Sequence, residues 1–594
     1  MQVRSGITTA EQESEKALSS ILVALESRRN FKLEAGAGAG KTTSLINALQ
    51  RILSDRSKYL PKDGQRVACV TYTNVARNEI IRRTDASPYV FADTIHGFLW
   101  HIISPFSKAL IREIPTLPKW DPILDGRTSL QGVTVTYDLG FRSIRDGVIR
   151  LHHDDVPALA ARLFSNRKFR SLVADRFPII FIDEYQDTPA GLAEAMLSGD
   201  KDAPAGSTHG FFGDHWQQIY DGTCGSIDHL PVTSIQKNAN WRSSSAVVHL
   251  LNEMRPELPQ APIADAKPGT VMVYHTNDWV GPRGARSKKG QIPDSVLTQT
   301  LKWVEEDALR RYGNGQGERP KILMLTHSSI ASELGFGGVD RVFRYNEDYV
   351  RKRDEVVAFL LDAFEPACEH FQNKQYGPMF EVLKRSRPHM QKRSDKTGWV
   401  ALFKAFESAR TNGTVGDVLD LILAQKYFAP PQAVYDRQRK WERALREQDS
   451  SQNTVLPRRL AEYGKFRSVR YGEVVALRQY VEENTPFSTQ HGVKGAEYPT
   501  VLAVFGGWTL YNFPRMLADF PNRESLDGDD LKRFQRSRNL FYVASSRARE
   551  NLIALFTTEL PKDALQTLES WVGISNITAV PYGSEGVLTS PQAP

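Results

Sequence analysis

Ala35-Gly-Ala-Gly-Ala-Gly-Lys41-Thr42 is the stretch on which the fold turns. An apolar segment, Phe31–Leu33, precedes it and reads as a buried strand; the pattern from about Lys41 to Leu53 reads as a helix. Strand, glycine-rich turn and helix in that order are the setting of a P-loop. Glycines let the main chain wrap a polyphosphate with its N–H groups inward, and the helix N-terminus adds positive potential. Lys41 is placed to reach the β- and γ-phosphates of ATP, and Thr42 to offer its hydroxyl to Mg²⁺. Gly36, Gly38, Gly40 and Thr43 complete the candidate nucleotide turn. The competing reading is a flexible Gly/Ala linker, against which the Gly-Lys-Thr ending and the preceding strand weigh. Ala35 stands where the strict pattern has its first glycine.

Further along, Ile179-Ile-Phe-Ile-Asp183-Glu184 is an apolar strand ending in two carboxylates, a Walker B arrangement. Asp183 is the candidate Mg²⁺ ligand with Thr42, and Glu184 the group that polarises the attacking water. Other short apolar runs read as buried parallel strands: Val67–Tyr72, Gly210–Phe212, Ile322–Leu325, Val501–Phe505 and Leu552–Phe556. Strands alternating with helical patterns give an α/β fold with parallel sheets. The strands form two groups, each interrupted. A mostly helical segment of about 75 residues follows Trp100, and a longer one runs from about Tyr345 to Pro486 with helical pieces at Val356–Phe364, Val400–Ala409 and Val434–Glu447. The first 30 residues read as a helix with a capping box at Thr8-x-x-Glu11.

The 594 residues carry 76 Lys+Arg against 69 Asp+Glu, a net +7. Between Lys384 and Arg470, nineteen basic residues face nine acidic ones, a local +10, so the rest sums to −3. The excess suggests an anionic partner or a solvated surface. A hydrophobic fraction of 41% excludes disorder as the main state. Three scattered cysteines, Cys69, Cys224 and Cys368, exclude a disulfide scaffold and suit a reducing compartment. With no apolar run of 18 residues and no apolar core of a signal peptide at the N-terminus, a cytoplasmic location with no membrane contact is expected.

The segment Asp183-Glu-Tyr-Gln-Asp-Thr188, together with the glycine turn, resembles superfamily 1 helicases of the UvrD/Rep/PcrA type. Other blocks follow in the family's order. Gln12 resembles the adenine-reading glutamine. Val70-Thr-Tyr-Thr-Asn74 resembles motif Ia and Thr94-Ile-His-Gly-Phe98 motif Ib. Gly213-Asp-His-Trp-Gln217-Gln-Ile-Tyr220 resembles motif III, which implies γ-phosphate sensing by Gln217. Asn240-Trp-Arg-Ser243 resembles motif IV, implying adenine stacking by Trp241 and an arginine finger at Arg242. Thr489-Gln-His-Gly-Val-Lys-Gly-Ala-Glu-Tyr498 resembles motif V, with Glu497 on the ribose. Asn539-Leu-Phe-Tyr-Val-Ala-Ser-Ser-Arg-Ala548 resembles motif VI, with Arg547 as the second finger.

The resemblance implies two RecA-like parallel-sheet P-loop cores, each interrupted by a mainly helical insertion. The expected division is 1–99 and 170–231 for the first core around an insertion at 100–169. The second core is expected at 232–344 and 487–575 around a basic insertion at 345–486, with a loose tail at 576–594. It also implies ATP hydrolysis coupled to 3′–5′ movement on single-stranded DNA or single-strand/duplex junctions, in DNA repair or anti-phage defence. Tyr72, Asn74, His96, Phe98, Tyr220 and His491 match the family's DNA contacts, while core packing is the alternative for Tyr72 and Phe98. The chain departs from the family at motif III, where Ile219-Tyr-Asp-Gly-Thr-Cys-Gly225 lacks the base-stacking Trp and the Arg. A second reading resembles the helicase-like subunit of the Gabija anti-phage system, a sensing ATPase paired with a separate nuclease and having little processive unwinding. A third is a plain P-loop ATPase. No nuclease-like cluster of acids and Lys follows motif VI, so if DNA is cut, another subunit is expected to cut it.

Overall fold

A computed structural model describes residues 9–583, apart from 125–129, 131, 138–141, 199–205, 221, 286–288, 313–318, 384–391, 451–454 and 509. Two six-stranded sheets organise the chain, and every strand pairing in them is parallel. The first sheet takes β1 (Phe31–Ala35), β2 (Val67–Thr71) and β3 (Val90–Thr94). A small sheet of β4 (Thr134–Tyr137), β5 (Ser143–Arg145) and β6 (Val148–Leu151) follows. The first sheet then resumes with β7 (Ile179–Asp183), β8 (Thr208–Gly213) and β9 (Thr233–Lys237), in the order β3-β2-β7-β8-β1-β9. A short pair, β10 (Ala239–Asn240) and β11 (Ala261–Pro262), leads to the second sheet. That sheet comprises β12 (Thr270–His275), β13 (Lys321–Met324), β14 (Phe487–Thr489), β15 (Tyr498–Phe505), β16 (Ala548–Phe556) and β17 (Ile577–Ala579), in the order β14-β13-β15-β16-β12-β17. Counted along the chain, both sheets have the strand order 3-2-4-5-1-6. This is the doubled RecA-like architecture, with an insertion in each half.

Period-two alternation divides each sheet between two cores. Val271 and Val273 join one cluster, whereas Met272 and Tyr274 join the other. The segment between β3 and β7 packs on one face of the first sheet, sharing a core with Val70, Ile180 and Ile182. Helices between β13 and β14 do the same for the second sheet, so Phe364, Phe406 and Phe466 belong to one cluster with Ile322 and Met324. The insertions are extensions of their sheets' cores.

Four features differ from the sequence reading. The first insertion is not helical throughout: β4 pairs parallel and β5 antiparallel with β6. β6 buries only Ile149 and Leu151 and β4 buries no side chain fully, too short a signal to stand out from helix spacing. β9 lies beyond residue 231 yet pairs with β1, so the first sheet ends later than the expected division. The capping box sits one residue on: the first helix, α1 (Ala10–Glu26), is capped by Thr9, whose main-chain N–H donates to Gln12 Oε1 at 3.0 Å. Thr8 and most of the expected tail (584–594) lie outside the described residues. Finally, several arginines of the basic insertion turn inward: Arg410 pairs with Glu365, Arg437 with Asp354 and Arg467 with Asp420. Among the described residues, no helix is long and apolar enough to cross a membrane.

Candidate functional site

Ligands of open parallel sheets bind beyond the carboxyl ends of the strands, and the glycine turn leaves β1 at that end. The helix after it, α2 (Lys41–Ser54), begins with Lys41 itself. Gly38 and Gly40 have φ values of 77° and 71°, left-handed conformations that side chains disfavour. A Cβ on Gly38 would also lie 2.7 Å from Asn240 Oδ1. The turn is held from outside: Ala37 N–H donates to the Tyr542 hydroxyl at 3.1 Å, and its carbonyl accepts from Asn240 Nδ2 and Gln260 Nε2 at 3.2 and 3.0 Å. Trp241 N–H donates to Gly38 O at 2.9 Å.

One strand, β8, separates β1 from β7, so the acids of β7 stand about 10 Å across the sheet from the turn, room for phosphate and metal between them. The Thr42 hydroxyl donates to Asp183 Oδ2 at 3.0 Å, and Lys41 Nζ is 3.9 Å from Glu184 Oε1. Burial, and then the Glu184 charge, push the Asp183 carboxyl up to about 7. Burial opposes ionisation of Glu184 as well, but Lys41 and Lys494 outweigh it and hold that group below its ordinary value. A proton on Asp183 thus stands where a cation would neutralise the pair, and the donor set of one hydroxyl and hard carboxylates fits Mg²⁺.

A cleft of about 850 Å³ opens over the turn. Gly38, Gly40, Lys41, Thr42, Thr43 and Glu184 line it from the first core. Trp241, Arg242, Glu497 and Arg549 line it from the other side. Arg242 Nε donates to Glu497 Oε2 at 2.7 Å, and Arg549 lies 3.9 Å from the same carboxylate. The Trp241 ring is half exposed, its Nε1 donating to Ser14 Oγ at 3.1 Å.

Some expected residues are elsewhere. Arg547 is buried within its own core, with Nε on Val543 O, Nη1 on Ala496 O and Nη2 on Ser546 Oγ, and it does not line the cleft. Burial, then Arg242, lower its pKa to about 9. Gln12 caps α1 and is also absent from the cleft lining. Gln217 is buried, its Nε2 donating to Asp214 Oδ2 at 2.8 Å. Phe98 is fully buried, packed against Phe91 and Phe177. His96 stacks on His153 of the first insertion at 3.4 Å. Tyr72, Asn74 and Tyr220 are exposed, and His491 bonds the Tyr511 hydroxyl at 2.8 Å.

Sequence reasoning missed Lys237. Its Nζ donates to Ser44 Oγ at 2.8 Å beside the phosphate turn, and burial, then Lys41, lower its pKa to about 8. It also missed Tyr542, inside the motif VI block, and Arg549, one residue beyond its end.

The sheets, the glycine turn, the strand-borne acids and the shared cleft define a P-loop protein with two RecA-like cores. The AAA domain family matches residues 19–223. The chain is similar to the Gabija protein GajB of Bacillus cereus strain HuB5-5, 22% identical over 691 aligned positions that cover 93% of this chain and 97% of the relative. It is also similar to the Gabija protein GajB of B. cereus strain VD045, 31% identical over 175 residues, 27% of this chain and 32% of that relative.

Proposed function

We propose that the chain is an ATP hydrolase that serves as the helicase-like subunit of an anti-phage complex, with a separate nuclease as its partner. The observation that carries the proposal is the cleft. Lys41, Thr42 and Glu184 on one core face Arg242, Glu497 and Arg549 on the other side of a single space, with the buried Asp183 carboxyl held by the Thr42 hydroxyl.

In this reading the turn binds the phosphates through its main-chain N–H groups and Lys41. Thr42 and Asp183 hold Mg²⁺, which when bound supplies charge neutralisation for phosphoryl transfer. Glu184 orients and deprotonates water, Trp241 stacks on the base, and Glu497 accepts from the ribose. Arg242 is released from Glu497 when the nucleotide's charge arrives, and turns to the phosphates. Arg547 reaches them only if the cleft closes and its carbonyl partners let go. Tyr72, Asn74, His96, Phe98, Tyr220 and His491 are the candidates for contact with single-stranded DNA, of which Tyr72, Asn74 and Tyr220 are exposed.

Translocation in the 3′–5′ direction is a second reading, supported by motifs Ia and V. Weighing against processive unwinding are the missing motif III Trp and the pairing of Arg410, Arg437 and Arg467 with acids inside the basic insertion. An ATPase assay without DNA, with single strands and with 3′- or 5′-tailed duplex, scored also for unwinding, tests both. DNA-stimulated turnover without unwinding supports the sensing subunit. Unwinding of 3′-tailed duplex supports the translocase, and absence of turnover in every arm overturns both.

A further inference from the structure

Glu34, Asp214 and His215 bring their oxygen and nitrogen atoms within 4.8 Å of one another, a spacing that would suit a metal ion. A guanidinium is there instead. Arg255 Nη1 donates to Asp214 Oδ1 at 2.6 Å and Nη2 to Glu34 Oε1 at 2.9 Å. All three of Glu34, Asp214 and Arg255 are buried. Burial opposes the charge on Glu34, but His215 and Arg255 outweigh it and hold the carboxyl well below its usual range. The site is a filled charge network.

The acids and the arginine come from different cores. Glu34 lies in β1 directly before the phosphate turn, and Asp214 directly follows β8. Arg255 caps the helix Ser245–Met254, whose Val247, Leu250, Leu251 and Met254 pack with Val271, Val273, Leu552 and Ala554 of the second sheet. Asp214 in turn fixes the motif III loop. Its Oδ2 accepts from Gln217 Nε2 at 2.8 Å and its Oδ1 from Trp216 N–H at 3.0 Å. Its own N–H donates to Gln186 Oε1 at 3.0 Å, and Gln186 Nε2 donates to Glu184 Oε2 at 2.6 Å. A hydrogen-bonded path therefore runs from a second-core arginine to both Gln217 and Glu184.

We infer that Arg255 is a positioning residue. By gripping Asp214 and Glu34 from the second core, it sets the Gln217 carboxamide and so couples the relative position of the two cores to ATP hydrolysis. Lysine cannot reproduce this, because a point-like ammonium does not span two carboxylates in a planar fork. The inference rests on the ATPase reading above.

The test is a double-mutant cycle on the full chain between Arg255→Lys and Gln217→Ala. Its readouts are kcat, the dissociation constant of a fluorescent ATP analogue, and hydrogen exchange of residues 213–218. Each single variant is expected to lower kcat by roughly 30-fold with binding within about threefold, and the double variant to fall no further than the slower single, since groups acting as one unit are non-additive. Exchange at 213–218 is expected to quicken in Arg255→Lys. Losses that multiply, an unchanged kcat in Arg255→Lys, or unchanged exchange would overturn the inference. Should Arg255→Lys fail to fold, Asp214→Asn replaces it in the same cycle with the same expectations. Wild-type protein without turnover would instead sink the ATPase reading, so the two failures are distinct.

Discussion

The Tyr542 hydroxyl lies 3.1 Å from the main-chain nitrogen of Ala37, so the second core accepts a hydrogen bond from the phosphate turn of the first. Tyr542→Phe removes that acceptor and leaves a buried N–H unpaired, a loss of about 1–2 kcal/mol. The expected result is a lower thermal midpoint and a KM for ATP raised severalfold, read by melting and ATP titration.

Arg242 and Arg547 separate on stability. Arg547 caps carbonyls in the core, and its removal strands the oxygens of Val543 and Ala496. Arg547→Ala is expected to lower the melting midpoint by several degrees, whereas Arg242→Ala leaves it in place and lowers kcat by about 10³, the scale of an arginine finger. Melting curves and turnover measured on the same preparations check both.

Asp183 gives a pH dependence. With its pKa raised from 3.8 to about 7, the folded protein holds a proton that the unfolded chain releases. This group's contribution to stability therefore falls as pH rises through that window. Protons and Mg²⁺ also compete for it, so the Mg²⁺ concentration for half-maximal turnover should rise about tenfold per unit below pH 7 and level off above. Asp183→Asn should melt higher than wild type at pH 8 while losing turnover.

His209 titrates in the opposite sense. It is buried on β8, and burial lowers its pKa from 6.5 to about 4. The folded protein refuses a proton that the unfolded chain takes, so stability present above pH 6.5 is lost as pH falls toward 4, in total about 3 kcal/mol. His209→Leu should flatten the fall in melting midpoint across that range, as followed by calorimetry.

The phosphate turn, the acids of β7 and the central strands were legible because buried parallel strands are continuous apolar runs, and Val271–Tyr274 in β12 carries a signal of the same kind. Edge strands were not: in β9 only Ile235 and Lys237 are buried. Motif spacing located Arg547 but not the direction of its side chain, which the carbonyls of its own core decide. The Gln12 carboxamide is likewise taken by the nearest backbone donor. Arg255 gave no sign at all, since a lone arginine after a helix gains meaning only from the two carboxylates that the fold brings to it.

The strand order shared by the two sheets has a quantitative corollary. β12 in the second sheet occupies the place of β1 in the first, but Thr276-Asn-Asp-Trp279 follows it in place of a glycine turn. One half of a doubled plan keeps its phosphate cradle, and the other lines the facing side of the same cleft. Binding stoichiometry should therefore be one ATP per polypeptide, and turnover by a single chain should saturate hyperbolically, so any sigmoidal response would report association between chains.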